Sequence, residues 1–356
     1  MALLESLATY LRDRARYPDV HVVGSDTPAV GLMQELDVPH NRQESCVIEG
    51  DGPGPSFYRV EARGETGFTH FEDGIQRQEV VMYLRGAPVV YAYTAAVIRQ
   101  RQEDLTMTTW GEDAYEALYV PTAIVGESEV EAMRSAGLKC HDVDVPTDDG
   151  QLSIPLMYVQ AVNAIRTERA HLERRLLEQW MEEHRNSPNA WLAVDGGLRE
   201  TIRIPAPATN LVGIAKDCRT LYFPWADQAH IYSMPAGYRS SVFQTPAAQS
   251  NQVHSWYLRL WSNYGHDLLF GIIRLELASQ CPAVSIARAD EISSWLLAER
   301  MPLSKPDSRW DRLIYPIHDC EEYLRSKAPS SAAVKAVLAG IGGIHSAATR
   351  RSLAGP

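Results

Sequence analysis

A mixed α/β sheet is the fold class this sequence predicts, and three observations carry it. The first is an apolar hairpin, in which Val80-Val81-Met82-Tyr83-Leu84 and Val89-Val90-Tyr91-Ala92-Tyr93 flank the turn Arg85-Gly86-Ala87-Pro88. The second is a long helical period from about 155 to 184. The third is a pair of continuous apolar runs, 191–195 and 210–216, that suit strands covered on both faces. Strands, a long helix, then further strands and helices fit a sheet flanked by helices better than a bundle or a sandwich.

Taken in order, Leu3, Leu4, Leu7 and Leu11 fall at helical spacing and predict an amphipathic N-terminal helix over 2–16. An irregular segment follows to about residue 65, with Asp51-Gly52-Pro53-Gly54-Pro55 as a plain loop. After the hairpin, the long helix runs to Asn186-Ser187-Pro188, which cannot continue it. Strands are expected at 253–261 and 268–277, and a helix at about 288–300. Beyond Lys327 the chain is rich in Ala, Ser and Gly, so residues 326–356 read as a weakly ordered tail.

Composition narrows the function classes. The 356 residues are 45% hydrophobic and 22% charged, the balance of a globular protein. No apolar run approaches the roughly 18 residues of a membrane span, and residues 1–18 lack a signal-peptide layout. Five scattered cysteines, never spaced CxxC, point to a reducing cytoplasm and away from a zinc ribbon. A net charge of −11 weighs against a generally DNA-coating protein, because non-specific affinity comes from Lys and Arg on phosphates. It leaves room for a nuclease with a local basic patch. Neither a GxxxxGK[ST] phosphate loop nor GxSxG or HExxH occurs, so an ATPase, a serine hydrolase of that type and a zincin are not expected.

The chemistry lies in the carboxylates. Asp51, Asp73, Asp149 and Asp195 each precede a Gly, which alone signals only a turn. Asp51 and Asp149 sit in polar loops. Asp195 closes the buried run Trp191-Leu192-Ala193-Val194, where an unpaired carboxylate costs several kcal/mol unless a metal or cation stands beside it. Asp73 follows Phe71-Glu72 and leads into the hairpin. On the long helix, Val162, Ile165, Leu172, Leu176, Leu177 and Trp180 form one stripe, and Glu173 falls near its centre. A Glu there is either ion-paired, with Arg169 or Arg166, or binds a metal. Asp73, Glu173 and Asp195 together would form a hard oxygen site for Mg²⁺ or Mn²⁺.

At these residues the chain resembles the NurA nucleases. The resemblance rests on Phe71-Glu72-Asp73-Gly74 before an apolar hairpin, and on Arg166-Thr167-Glu168-Arg169-Ala170-His171-Leu172-Glu173 on the helix. It continues with Val194-Asp195-Gly196-Gly197-Leu198, then Leu211-Val212-Gly213-Ile214-Ala215-Lys216, with weaker echoes in Arg274-Leu275-Glu276 and Tyr315-Pro316-Ile317. Each motif is short; their shared order over about residues 65–325 makes the likeness. Two departures stand out: residues 103–155 look like an insertion, and for the closing helix the chain offers only His318, Asp319 or Glu322.

The resemblance implies a ribonuclease-H-like core over 66–325 and a Mn²⁺-dependent (or Mg²⁺-dependent) DNA nuclease, a 5′-to-3′ exonuclease and single-strand endonuclease. It further implies a homodimer docked on a HerA-type hexameric ATPase. Asp73, Glu173 and Asp195 would bind metal, Lys216 would meet the scissile phosphate, and His318 would complete the site, with Tyr315 beside it. Arg99, Arg101, Arg166, Arg169, Arg174 and Arg175 are candidates for the local basic patch. Trp256, Tyr257, Trp261 and Tyr264 would stack on bases or pack a strand. Two other readings compete: a degenerate member that serves as an adaptor for a motor ATPase, and a glycoside hydrolase using Glu173 and Asp195 as acid and base.

Overall fold

The computed structural model describes residues 2–14, 17, 20–22, 45–52, 54–146, 152–184, 187–198, 210–216, 220–246, 253–263, 268–279, 281–301 and 312–339. Helix α1 (Ala2–Arg14) and the short strands β1 (Val20–Val22), β2 (Cys46–Val47) and β3 (Phe57–Arg59) precede a long antiparallel meander of β4 (His70–Leu84), β5 (Ala87–Arg101) and β6 (Met107–Val120). Helices α2 (Thr122–Val125) and α3 (Glu127–Ser135) lead to β7 (Cys140–Asp142) and then to α4 (Ile154–Glu183). Ser153 caps α4 by accepting from the Leu156 amide at 3.2 Å, and Pro155 sits in its first turn, where a missing N–H costs nothing.

After α4 come β8 (Leu192–Asp195), β9 (Leu211–Ala215), α5 (Trp225–Tyr232), β10 (Tyr238–Ser240), β11 (Phe243–Gln244), β12 (Val253–Arg259) and β13 (Ile272–Ala278). Helices α6 (Pro282–Glu299), α7 (Tyr315–Lys327) and α8 (331–339) complete the described chain.

These strands form one large mixed sheet with helices on both faces, an α/β architecture. Its main path runs β2-β11-β12-β13-β9-β8-β4-β5-β6-β7. Strand β8 lies parallel to β4, with Phe71 opposite Ala193 and Glu72 opposite Val194, and β9 lies parallel to β8. The helix α4 makes the connection that two parallel strands require.

Alternation along the central strands separates the two faces. Phe71, Ala193, Val212 and Ile214 pack with Ile292, Ile317 and Cys320 of α6 and α7. Leu192, Val194 and Leu211 pack with Leu172, Leu176, Leu177 and Trp180 of α4. A further core fills the distal half of the meander, between α1, α3 and the first turns of α4.

Four segments carry more regular structure than their sequence patterns suggest. Residues 103–155, expected as an insertion, enter the sheet: β6 pairs with β5 along its length, and β7 extends the sheet further. The hairpin strands are likewise three times longer than their apolar stretches, because ladder pairing carries Gly74–Glu79 along. Within 1–65, β1, β2 and β3 join edges of the same sheet. The expected tail instead carries α8, whose Val334 and Leu338 are buried in the distal core. In each case tertiary burial stabilises a segment whose own pattern is weak.

Candidate active site

Asp73 and Asp195 occupy corresponding positions on adjacent parallel strands. Each lies one residue beyond the last β4–β8 pair, Glu72 with Val194, and two beyond residues that face α6 and α7. Lys216 follows two residues after Ile214, on the same face, and its Nζ lies 2.7 Å from Asp195 Oδ1. The carboxyl ends of parallel strands in an open sheet are where ligands bind in this class of architecture.

The turn after Asp195 is fixed from two sides. Gly196 adopts φ +103°, a region that side chains disfavour, and its amide donates to the Ile214 carbonyl at 3.0 Å. The Leu198 amide donates to Glu276 Oε2 at 2.6 Å, and Glu276 is held in turn by Arg274. Burying that ion pair under the turn keeps the strand end, and so the Asp195 carboxylate, in place.

Glu173 reaches the same strand edge from the other face. Its Oε1 stands only 2.2 Å from where a Cβ on Gly74 would lie, so the carboxylate occupies the space a side chain would take. Arg169, one turn earlier on α4, places Nε 3.3 Å from Glu173 Oε1. Both possibilities left open for Glu173 therefore meet in one place: it has an arginine partner and it stands beside the other acids.

Glu72, which the sequence reading left unassigned, points to this α4 face between His70 and Gly74. It is 1% exposed and its Oε1 has no hydrogen-bond partner. The electrostatics tie the acids together. Burial raises the Glu72 pKa well above the carboxylate range, and Glu173, Asp73 and Asp195 push it further; Arg169 opposes them. Asp73 is raised by burial and then by Asp195, against the pull of Lys216, with Glu321 of α7 raising it as well. Burial moves Glu173 up to about 7, opposed by Arg169 and reinforced by Asp195. The Gly74 amide donates to Asp73 Oδ1 at 2.7 Å.

Helix α7 contributes a different residue from those expected. The acid that acts on Asp73 is Glu321, while His318 Nδ1 stands 3.5 Å from Glu321 Oε2 and shows no interaction with Asp73. Asp319 pairs with Arg99 at 3.1 Å, Glu322 with Arg325 at 3.2 Å, and Tyr315 is exposed. Cys320, beside them, binds the Phe71 carbonyl at 3.3 Å and so seats α7 against β4.

Half of the expected basic patch is engaged elsewhere: Arg99 holds Asp319, Arg101 holds Glu299 and Arg175 holds Asp113. Trp256 and Tyr257 are fully buried, so they pack the strand; Tyr264 lies outside the described residues.

The site therefore gathers Glu72, Asp73, Glu173 and Asp195 at the edge where β8 stops, with Glu321 close by. Lys216 and Arg169 are the cations set against them. Hard oxygen donors in excess over cations are the chemistry that a divalent ion relieves. Among the described residues, no three His, Cys, Asp or Glu side chains converge tightly enough to hold one ion between them as they stand. No helix among those residues is long and apolar enough to cross a membrane. No protein-family description matches this chain, and no curated protein does either.

Proposed function

We propose that this protein is a divalent-metal-dependent nuclease of the NurA type, with a ribonuclease-H-like core, that cuts DNA in partnership with a HerA-type hexameric ATPase. The observation that carries the reading is the meeting of Asp73, Asp195 and Glu173 at one strand edge beside Lys216. Supporting it, the antiparallel meander β4–β5–β6 is followed by the crossover helix α4 and by two strands parallel to β4. That arrangement is compatible with a ribonuclease-H-like core.

The donor set fits Mn²⁺ or Mg²⁺. Its ligands are hard carboxylates, it holds more acids than bases, and the buried Glu72 Oε1 is unpartnered. Asp73, Asp195 and Glu173, which do not converge on one point as they stand, would draw together to hold the ion, which when bound would lower the pKa of a water and offset charge on a phosphodiester. Lys216 keeps its ammonium at the mouth of the site, where it can receive a phosphate oxygen. Arg274 and Glu276 fix the turn that carries Asp195. A translocase that carries the DNA, with this chain docked on it as a homodimer, would ease the objection that a net charge of −11 raises, since the nuclease then needs only local basic groups.

The test is cleavage of linear and single-stranded DNA with Mn²⁺. Asp73→Asn and Asp195→Asn are each expected to lower the rate by ~10³-fold, the several kcal/mol that a metal contributes to the transition state. Normal cleavage by either folded variant overturns the reading. One observation favours a second: Lys216 and Arg169 already hold Asp195 and Glu173, as they would in a non-cutting adaptor for the ATPase. An adaptor would bind the translocase yet give no heat on calorimetric titration with Mn²⁺.

A further inference from the structure

Among the described residues, no strand pairs with the Asp73 edge of β4 between Asp73 and Val81. Pairing with β8 ends at Glu72, and β1 joins that strand only from Met82 onward. Among the described residues, Gly74, Ile75, Gln76 and Arg77 there floor a cleft of about 390 Å³, walled by Arg169 of α4 and by Glu321 and Arg325 of α7. Three guanidinium groups from three separate elements thus surround one concavity that begins at Gly74, under the Glu173 carboxylate. Only Arg169 among them was legible as a patch candidate.

Their present partners are one neutral carbonyl and three carboxylates. Arg77 Nη1 donates to the neutral carbonyl of Pro329 at 2.9 Å, which does not cancel its charge. Arg325 is half-exposed and shared between Glu321 and Glu322. Arg169 meets Glu173 through Nε at 3.3 Å, a long contact that is not a hydrogen bond. In a chain with 45 acidic and 34 basic residues, the lining of this cleft holds three arginines against one acid, Glu321, so it is locally basic beside the carboxylates.

We infer that this cleft seats the sugar–phosphate backbone of a single nucleic-acid strand, with Arg77, Arg169 and Arg325 as positioning residues that present the scissile bond to the carboxylates. The inference rests on the nuclease reading for why a strand should lie there. Planar guanidinium forks match phosphate oxygens in pairs, and a basic groove is how single strands are held without regard to sequence. A cleft of this volume, closed on two sides by helices, does not admit both strands of a duplex.

The experiment is fluorescence anisotropy with a labelled oligothymidylate in EDTA, so that binding is read without cleavage. The full chain is compared with Arg77→Gln, Arg325→Gln and their double variant, with Arg134→Gln on α3 as the control. Each single change is expected to weaken binding ~5-fold and the double ~20-fold or more. The slope of log affinity on log salt should shallow by ~0.7 per arginine removed. A structural role would not move that slope.

If Arg77→Gln unfolds through loss of the Pro329 contact, the half-exposed Arg325→Gln carries the test alone. The matching duplex should bind more weakly than the single strand, and inorganic phosphate at equal concentration should not displace it. Unchanged affinity and slope in the double variant, or preference for duplex, overturns the inference. Metal-dependent cleavage that survives while binding ignores these arginines sinks this inference alone. Arginine-dependent binding without any Mn²⁺-dependent cleavage sinks the nuclease reading and leaves the strand cleft standing.

Discussion

Arg239 and Glu72 are each 1% exposed, yet their surroundings are opposites. Arg239, on β10, gives two hydrogen bonds to Glu49 at 2.7 and 2.8 Å and one to Asp290 at 2.6 Å, and it lies 4.6 Å from the Tyr58 ring centre. Glu49 also accepts the Val242 amide at 2.8 Å. Every charge there has a counter-charge and little is left to bind. Glu72 has three carboxylates around it, one arginine, and an oxygen with no partner. Equal burial therefore serves two ends: the first cluster closes on itself and holds the sheet, while the second stays short of positive charge and awaits it.

The largest effect that separates them is on stability. Arg239→Met should cost about 3–5 kcal/mol, because it strands Glu49 in the interior without its cation. Urea unfolding measures this, and an unchanged midpoint would mean that the pair holds nothing. Glu72→Gln should leave stability at neutral pH equal or higher, since it removes a charge that the fold disfavours.

A smaller effect is the dependence of stability on pH. The Glu173 pKa is raised from 4.5 to about 7, and those of Glu72 and Asp73 are raised as well. Folded protein thus holds protons that the unfolded chain has released, so unfolding free energy falls as pH rises through this window. Glu173, faced by Arg169, Asp195 and Glu72, should account for on the order of 2–3 kcal/mol between about pH 4.5 and pH 7, and for no further change above it. Thermal unfolding without divalent ions, at constant ionic strength, reads the slope. Glu173→Gln should flatten it; a slope of the opposite sign would show that the acids are stabilised as anions.

The smallest change tests placement alone. Gly74→Ala puts a methyl 2.2 Å from Glu173 Oε1, which is the end of a flexible side chain and can swing away. Stability should shift by less than about 1 kcal/mol. Metal-dependent cleavage should drop ~10-fold, the equivalent of ~1.4 kcal/mol in the barrier. If activity holds, Glu173 has no part in the chemistry.

Much of the fold was legible because it is local. The helical stripe on α4 matched the observed helix to within a residue or two, and Trp191-Leu192-Ala193-Val194-Asp195 gave a strand ending in an acid. The hairpin was found but cut short, since Glu72 through Glu79 looks polar and enters the sheet only through the ladders beside it. Of the site, Asp73, Glu173, Asp195 and Lys216 do come together. His318 does not join them, because a helix in isolation cannot say which of its acids will face a strand, and the face that meets β4 carries Cys320 and Glu321.

Periodicity by itself determined the central elements and the Asp at the end of β8, since those depend on residues a few positions apart. The tertiary structure decided which face of β4 each carboxylate takes, and that Glu72 belongs among them. It also decided that Gly74 would admit Glu173 and that Arg77 and Arg325 would share a cleft. All of this turns on one event that no local pattern encodes: β8 stops at Asp195 while β4 runs on. At that edge, which no strand pairs among the described residues, the two faces of the sheet meet, and residues separated by more than 100 positions in sequence come together.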